Sequence, residues 1–142
     1  MKKPEIEFIA RAFITHDDKL LVCENKKGGH YFLPGGHIEF GESAKNAWIR
    51  EIKEELGVEG KVGEMAGVFE NKYQLGDSLH HEINIIFSAS LSTNNIKSLE
   101  DHIAFHWMRF EEIHGINLLP SKLPEIISGW LKDKKTFFES TI

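Results

Sequence analysis

The sequence predicts an α+β fold in which one sheet has helices packed against it. Three features carry that reading. Runs rich in β-branched and aromatic residues are bounded by turn residues, a central segment repeats apolar residues at helical spacing, and a second such segment lies near the end. The order is strands, helix, strands, helix, with no linker, repeat or low-complexity tract, so residues 1–142 read as a single domain.

Residues 6–14 (IEFIARAFI) and 19–24 (KLLVCE) flank His16-Asp17-Asp18, a turn, and together predict a hairpin. Lys26-Lys27-Gly28-Gly29 is a polar loop. A short extended piece from His30 to Leu33 then enters Pro34-Gly35-Gly36, where the chain can take backbone angles that other residues avoid. Ser43 is a good N-cap for a helix over 44–56, with Gly57 as its stop. Ala44, Trp48, Ile52 and Leu56, widened by Ile49, form its core-facing stripe. Strands are expected at about 61–73 and 81–91 around the turn Gly76-Asp77-Ser78, and a last strand over 104–110. Pro120 and Pro124 bracket the start of a C-terminal helix reaching Lys134, with Leu123, Ile126, Ile127, Trp130 and Leu131 facing inward.

Composition narrows the function. Apolar residues are 41% and charged residues 27%, ordinary for a soluble globular protein of 142 residues. A net charge of −5 and a pI near 5.9 argue against sequence-independent nucleic-acid binding, which needs clustered positive charge. An anionic small molecule stays open if metal ions mask the negative field. Cys23 sits alone in the apolar run Leu20-Leu21-Val22-Cys23 and reads as a buried, inert thiol. No apolar stretch approaches a membrane span, and Lys2-Lys3 are followed by Pro4, Glu5 and Glu7 rather than a signal core. A cytoplasmic protein is expected.

The chemistry concentrates in the segment from Gly36 to Val58, GHIEFGESAKNAWIREIKEELGV. At about 100° per residue, Glu51, Glu54 and Glu55 fall within roughly 100° of arc, beside the apolar stripe rather than opposite it. A merely solvated acidic face would lie opposite. Two carboxylates about 4 Å apart repel by roughly 1 kcal/mol in water and about 4 kcal/mol at an effective dielectric near 20. A hard divalent cation turns that repulsion into attraction, and an all-oxygen donor set suits Mg²⁺, with Mn²⁺ as a substitute.

The spacing is specific. Gly36, five residues, Glu42, seven residues, then Arg50-Glu51-Ile52-X-Glu54-Glu55-X-Gly57-Val58 closely resembles the signature of the Nudix hydrolases, with every defined position filled. Leu33-Pro34-Gly35 resembles the family's approach to this box. The resemblance implies an α/β/α sandwich around a mixed sheet. It implies Mg²⁺-dependent hydrolysis of a nucleoside diphosphate linked to another moiety. By position, Glu51, Glu54 and Glu55 would bind metal, with a carbonyl of Gly35 or Gly36 as a further ligand. One of the glutamates would instead act as the base, and the resemblance does not say which. Arg50 and Glu42 would orient the carboxylates. Gly35, Gly36 and His37 would approach the substrate phosphates.

Many relatives recruit a further carboxylate from outside the box. Asp101, ahead of Trp107, is the first candidate here, followed by Glu100 and Glu82; Ala104 stands where relatives often carry Glu. In His80-His81-Glu82, adjacent strand residues point to opposite faces, so the three cannot converge on one ion, although one could touch substrate. Phe32, Phe69 and Tyr73 could stack a base or pack in the core, and Lys26, Lys27 and Lys72 could meet phosphates or only water. Tyr73 stands where ADP-ribose hydrolases carry a proline, and a tyrosine near there is associated with dinucleoside polyphosphate hydrolases. Markers of the NADH and coenzyme A branches are absent. Nucleoside triphosphates, nucleotide sugars and dinucleoside polyphosphates stay open as substrates. A nucleotide-sensing module on the same scaffold is the rival reading, although such modules usually lose box glutamates; an isomerase is the third. Apolar residues near Trp130 and at Phe137-Phe138 would support a homodimer.

Overall fold

In chain order the strands are β1 (Ile6–His16), β2 (Lys19–Asn25), β3 (Tyr31–Phe32) and β4 (Gly35–His37), then helix α1 (Ala44–Leu56). There follow β5 (Gly60–Leu75), β6 (Ser78–Leu91), β7 (Ile103–Arg109), a 3₁₀ segment Phe110–Gly115, helix α2 (Leu123–Asp133) and β8 (Phe137–Ser140). These come from a computed structural model that describes residues 4–142; Lys2 and Lys3 lie outside the described residues.

The expected hairpin of β1 and β2 is real but short. Asp17 and Asp18 both take positive φ, 48° and 60°, the conformation of a tight two-residue turn matched to strand twist. Only Thr15–Leu20 and His16–Lys19 then pair. Beyond them β1 runs parallel to β6, from Ile6–His81 to Ile14–Ala89, while β2 pairs antiparallel with β7 and β3. Periodicity marks a β-run but does not choose its partner, and the longer ladders prevail. β5 and β6 form the expected hairpin around Gly76-Asp77, bulged between Val62 and Gly67. The result is a mixed sheet, ordered β3-β2-β1-β6-β5-β8, with β4 alongside β1 and β7 alongside β2.

Helices cover both faces, as an α/β/α sandwich requires. The β1 residues Ala10, Ala12 and Ile14 pack with Ala47, Trp48, Ile52 and Leu56 of α1. On the other face Phe13, Phe69 and Ile86 pack with Ile126, Ile127 and Trp130 of α2. Among the described residues no helix is long and apolar enough to cross a membrane. Cys23 is fully buried, and burial pushes its thiol up well above the usual range.

Two expectations need correction. The strand over Ile103–Arg109 is not the last, because β8 adds parallel to β5 from Gly67–Phe137 to Glu70–Ser140. Trp130 and Phe137 therefore belong to the chain's own core, where their rings lie 4.9 and 6.2 Å from Phe13. Phe138 is exposed.

Candidate active site

Helix α1 takes its expected bounds for local reasons. Ser43 Oγ accepts from the Asn46 N–H at 3.1 Å, and Gly57, at φ 69°, donates its N–H to the Lys53 carbonyl at 2.9 Å. Trp48 fixes the helix against the approaching loop by donating from Nε1 to the Pro34 carbonyl at 3.2 Å. The loop itself is bound to β1 through Arg11–Gly35, Ala10–Gly36 and Ile9–His37 pairs.

Both glycines are needed there. Gly35 has φ 147°, and a Cβ on it would stand 1.9 Å from the Ala10 carbonyl oxygen. A Cβ on Gly36 would stand 2.4 Å from Cδ of Glu51, so this glycine leaves the space that the carboxylate occupies.

Arg50 organises the acids. Its Nε and Nη2 donate to the two oxygens of Glu42 at 2.8 and 2.9 Å, and Nη1 donates to Glu51 at 2.9 Å. Nη2 also reaches the His37 carbonyl at 3.1 Å, and Glu54 lies 3.6 Å from Nη1. The guanidinium holds Glu42 below the usual carboxylate range, and Arg50 is itself raised, chiefly by Glu42. This fork grips the box loop and the first turns of its carboxylate row together.

Glu55 differs. It is 7% exposed, and its Oε2 is buried with no hydrogen-bond partner. Burial pushes its carboxyl up to about 8, with the charges of Glu51 and Glu100 adding to the effect and Arg11 partly offsetting it. The loop after β6 carries Glu100 to this position, because Leu99 N–H donates to the Glu55 carbonyl at 2.8 Å. Of the outside acids expected to help, Glu100 is thus the one whose charge bears on the box. Asp101 is exposed in the following turn and is not among the charges acting on Glu55.

Glu51, Glu54 and Glu55 share one side of α1, but they do not yet close on a point. Among the described residues no three His, Cys, Asp or Glu side chains are gathered at metal-binding distance. Arg50 draws Glu51 and Glu54 toward itself, and Glu54 is exposed. The fit to a divalent cation rests on other features: an all-oxygen donor set, the partnerless buried Oε2 of Glu55, and the cradle beside Gly36.

A cavity of about 700 Å³ opens on the α2 face of the sheet. Arg11 joins it to the box, since it lines the cavity, donates to the Leu33 carbonyl at 2.9 Å and bears on Glu55. Phe32 and Tyr73 border the cavity as the sequence reading allowed, Lys72 stands at its edge, and Phe69 is fully buried at its floor. Sequence reasoning missed Arg11, although a lone charge inside the apolar run IEFIARAFI was a usable signal. His37 is exposed and bonded to Glu7 at 2.9 Å, and Glu7 also holds His80 at 3.2 Å. Those contacts, that with His37 first, lower the Glu7 carboxyl. His80 and Glu82 lie on the cavity face and His81 on the other, so the trio does not converge.

The NUDIX domain family model matches residues 8–131. An ADP-ribose pyrophosphatase of Methanocaldococcus jannaschii is 35% identical over 91 residues, covering 62% of this chain and 53% of the relative. The match thus spans about half the length of that protein. An uncharacterized Nudix hydrolase of Bacillus subtilis is 27% identical over 116 residues, covering 81% of this chain and 73% of the relative. The crystal structure of a MutT protein from Methanosarcina mazei superposes with a TM-score of 0.75 at 25% identity, covering 95% of this chain and 99% of the other.

Proposed function

The chain belongs to the Nudix hydrolase family, and from that premise we propose that it hydrolyses a pyrophosphate bond in a nucleoside diphosphate linked to another moiety. Glu51, Glu54 and Glu55 would hold Mg²⁺, with a carbonyl of Gly35 or Gly36 as a further ligand. The observation that carries the reading is Glu55, a buried carboxylate with one oxygen lacking any partner, set beside two more acids on the same helix. A protein without use for a cation there would bury an apolar residue instead.

Bound among these oxygens, the cation would lower the pKa of the attacking water, neutralise phosphate oxygens and stabilise the leaving group. The chain's own residues do the rest. Arg50 holds Glu51 beside Gly36 and ties Glu42 to the helix. Glu55 carries a proton at neutral pH in the metal-free protein and gives it up when its carboxylate is engaged. Gly35 lets the box approach pack against the Ala10 backbone, and Gly36 leaves the space in which the Glu51 carboxylate sits. Arg11, at the junction of cavity and box, offers positive charge to a phosphate leaving the cavity.

A nucleotide seated in the cavity beside Arg11 is the substrate class supported. The Methanocaldococcus relative's name points to ADP-ribose, whereas Tyr73 occupies the place of the proline that goes with that substrate. Nucleoside triphosphates, nucleotide sugars and dinucleoside polyphosphates are therefore included in the test. The purified protein is incubated with Mg²⁺ and each nucleotide, beside a Glu54→Gln control. Hydrolysis that is lost with the substitution and with chelator is the expected result. Binding without turnover across the panel would instead make the protein a sensing module.

A further inference from the structure

The cavity's inner wall carries an unusual row of polar groups. Asn71 of β5 and Glu82 of β6 are direct neighbours across the ladder, so their side chains share a face, and Asn84 stands one step along on that face. All three line the cavity and are at least nine-tenths buried, with Glu82 7%, Asn71 6% and Asn84 3% exposed. Buried polar groups are expected to be paired. Here the pairing is incomplete in a way that describes a ligand.

Asn84 Nδ2 donates to the Phe69 carbonyl at 3.2 Å and, at 3.4 Å, to Oε1 of Glu82. That long bond is the single one Glu82 receives among the described residues, and its Oε2 receives none. Glu7, beside Glu82 on β1, does not compete for donors from a ligand, because His37 and His80 already engage both its oxygens. Asn71 is oriented by its neighbours. Thr141 Oγ1 accepts from the Lys72 N–H at 3.2 Å and so donates its proton to Asn71 Oδ1 at 2.7 Å. The amide of Asn71 is left with free N–H donors.

The wall therefore presents two acceptor oxygens on one carboxylate and an amide donor beside them. Guanine has the complementary edge, with N1–H and N2–H as adjacent donors and O6 as the acceptor. Adenine and cytosine offer one amino group next to a ring nitrogen whose lone pair would face the second carboxylate oxygen. Uracil offers a single N–H between two carbonyls. We propose that Glu82 accepts from N1–H and N2–H of a guanine base in this cavity while Asn71 donates to O6. Guanine nucleotides are then the class this pocket selects. The placement suits the rest of the molecule: Glu82 lies four residues from Ile86, the partner of Arg11, or about 13 Å along the strand. A base at Glu82 thus leaves about the length of a nucleotide between it and Arg11. Tyr73, stacked on His80 at 4.8 Å, supplies an aromatic wall.

This rests on the reading of the cavity as a nucleotide site, and its test does not depend on turnover. GMP, AMP, CMP and UMP have no pyrophosphate bond, so their binding is measured at equilibrium by calorimetry. GMP is expected to bind at least about 10-fold more tightly than the other three, as a bidentate base contact provides. Glu82→Gln turns one acceptor into a donor and should weaken GMP by about 10-fold or more while strengthening AMP, whose ring-nitrogen lone pair then meets an N–H instead of a carboxylate oxygen. IMP, which lacks the 2-amino group, should fall between GMP and AMP with the unsubstituted protein, which keeps the test independent of how the variant folds. Equal binding of all four monophosphates, the outcome if Glu82 held the ribose hydroxyls they share, would overturn the proposal. So would preference for AMP, or binding of none. A protein that selects GMP yet hydrolyses no nucleotide would sink the hydrolase reading and keep this one.

Discussion

Glu55→Gln should make the metal-free protein more stable, and by an amount that depends on pH. The folded state raises this carboxyl from 4.5 to about 8, so between those values the native protein holds a proton that the unfolded chain has released. Stability linked to Glu55 is therefore fully present below pH 4.5 and is lost as pH rises toward 8. At 1.36 kcal/mol per pH unit the loss is at most about 5 kcal/mol above pH 8 and about 3 kcal/mol at pH 7. Glutamine keeps the shape and never ionises, which removes the slope. Urea unfolding in the presence of chelator, run on both proteins at pH 5, 7 and 9, reads the difference directly, since all other titrating groups are common to the pair. The variant should match the parent within about 1 kcal/mol at pH 5 and exceed it increasingly at pH 7 and 9. With Mg²⁺ at 100 times its dissociation constant the parent gains about 2.7 kcal/mol that the variant lacks, which should reverse the order at pH 5 and bring the two close together at pH 7, while the variant stays ahead at pH 9. A stability difference that stays constant from pH 5 to 9 would refute the account of Glu55 as a carboxyl held in the wrong solvent.

The two glycines of the box approach should fail in different ways. Gly35→Ala places a Cβ against the Ala10 backbone at a positive φ, so a loss of at least about 3 kcal/mol in urea unfolding is expected. Gly36→Ala meets only the movable end of Glu51; unfolding should change by less than about 1.5 kcal/mol, while the Mg²⁺ concentration for half-maximal hydrolysis rises about 10-fold or more. Arg50→Lys cannot span Glu42 and Glu51 with one planar fork, and should lower kcat/KM by about 10- to 100-fold with the fold retained by circular dichroism.

How much was legible from the sequence depended on the distance over which each feature is decided. Helix α1 was legible to the residue because its cap, its stop and its stripe all lie within Ser43–Gly57. The separation of β1 from β2 was not, since the partner that draws β1 away is β6, far along the chain. β8 was hidden for the same reason: four residues, Phe-Phe-Glu-Ser, look like a tail until β5 offers them an open edge. In the site, the box named its own acids, but spacing could not say that Arg50 would occupy Glu42 and Glu51 while Glu55 went without a partner. Asn71 is an ordinary residue in the sequence, and Glu82 stood out there only as a spare acid for a metal or within His80-His81-Glu82. Only the register that sets them side by side makes them a pair.

The contrast between Glu51 and Glu55 shows why both kinds of carboxylate belong in one site. If Arg50 satisfied every acid, the site would be stable without a cation and would attract one weakly, because metal binding would have to break those ion pairs first. If none were satisfied, like charges along one side of α1 would oppose the helix that presents them. Arg50 instead stabilises the acids that shape the box loop, and Glu55 stays buried, proton-bearing and with Oε2 unpaired. The folding cost is thus confined to one side chain, and under the proposed function that side chain is the one whose energy would improve most on binding a cation. The same division appears across the sheet, where Glu7 is held by His37 and His80 while its neighbour Glu82 waits almost unpaired in the cavity. In each pair the satisfied carboxylate fixes the structure, and under the proposed roles the unsatisfied one has the task of selecting what binds.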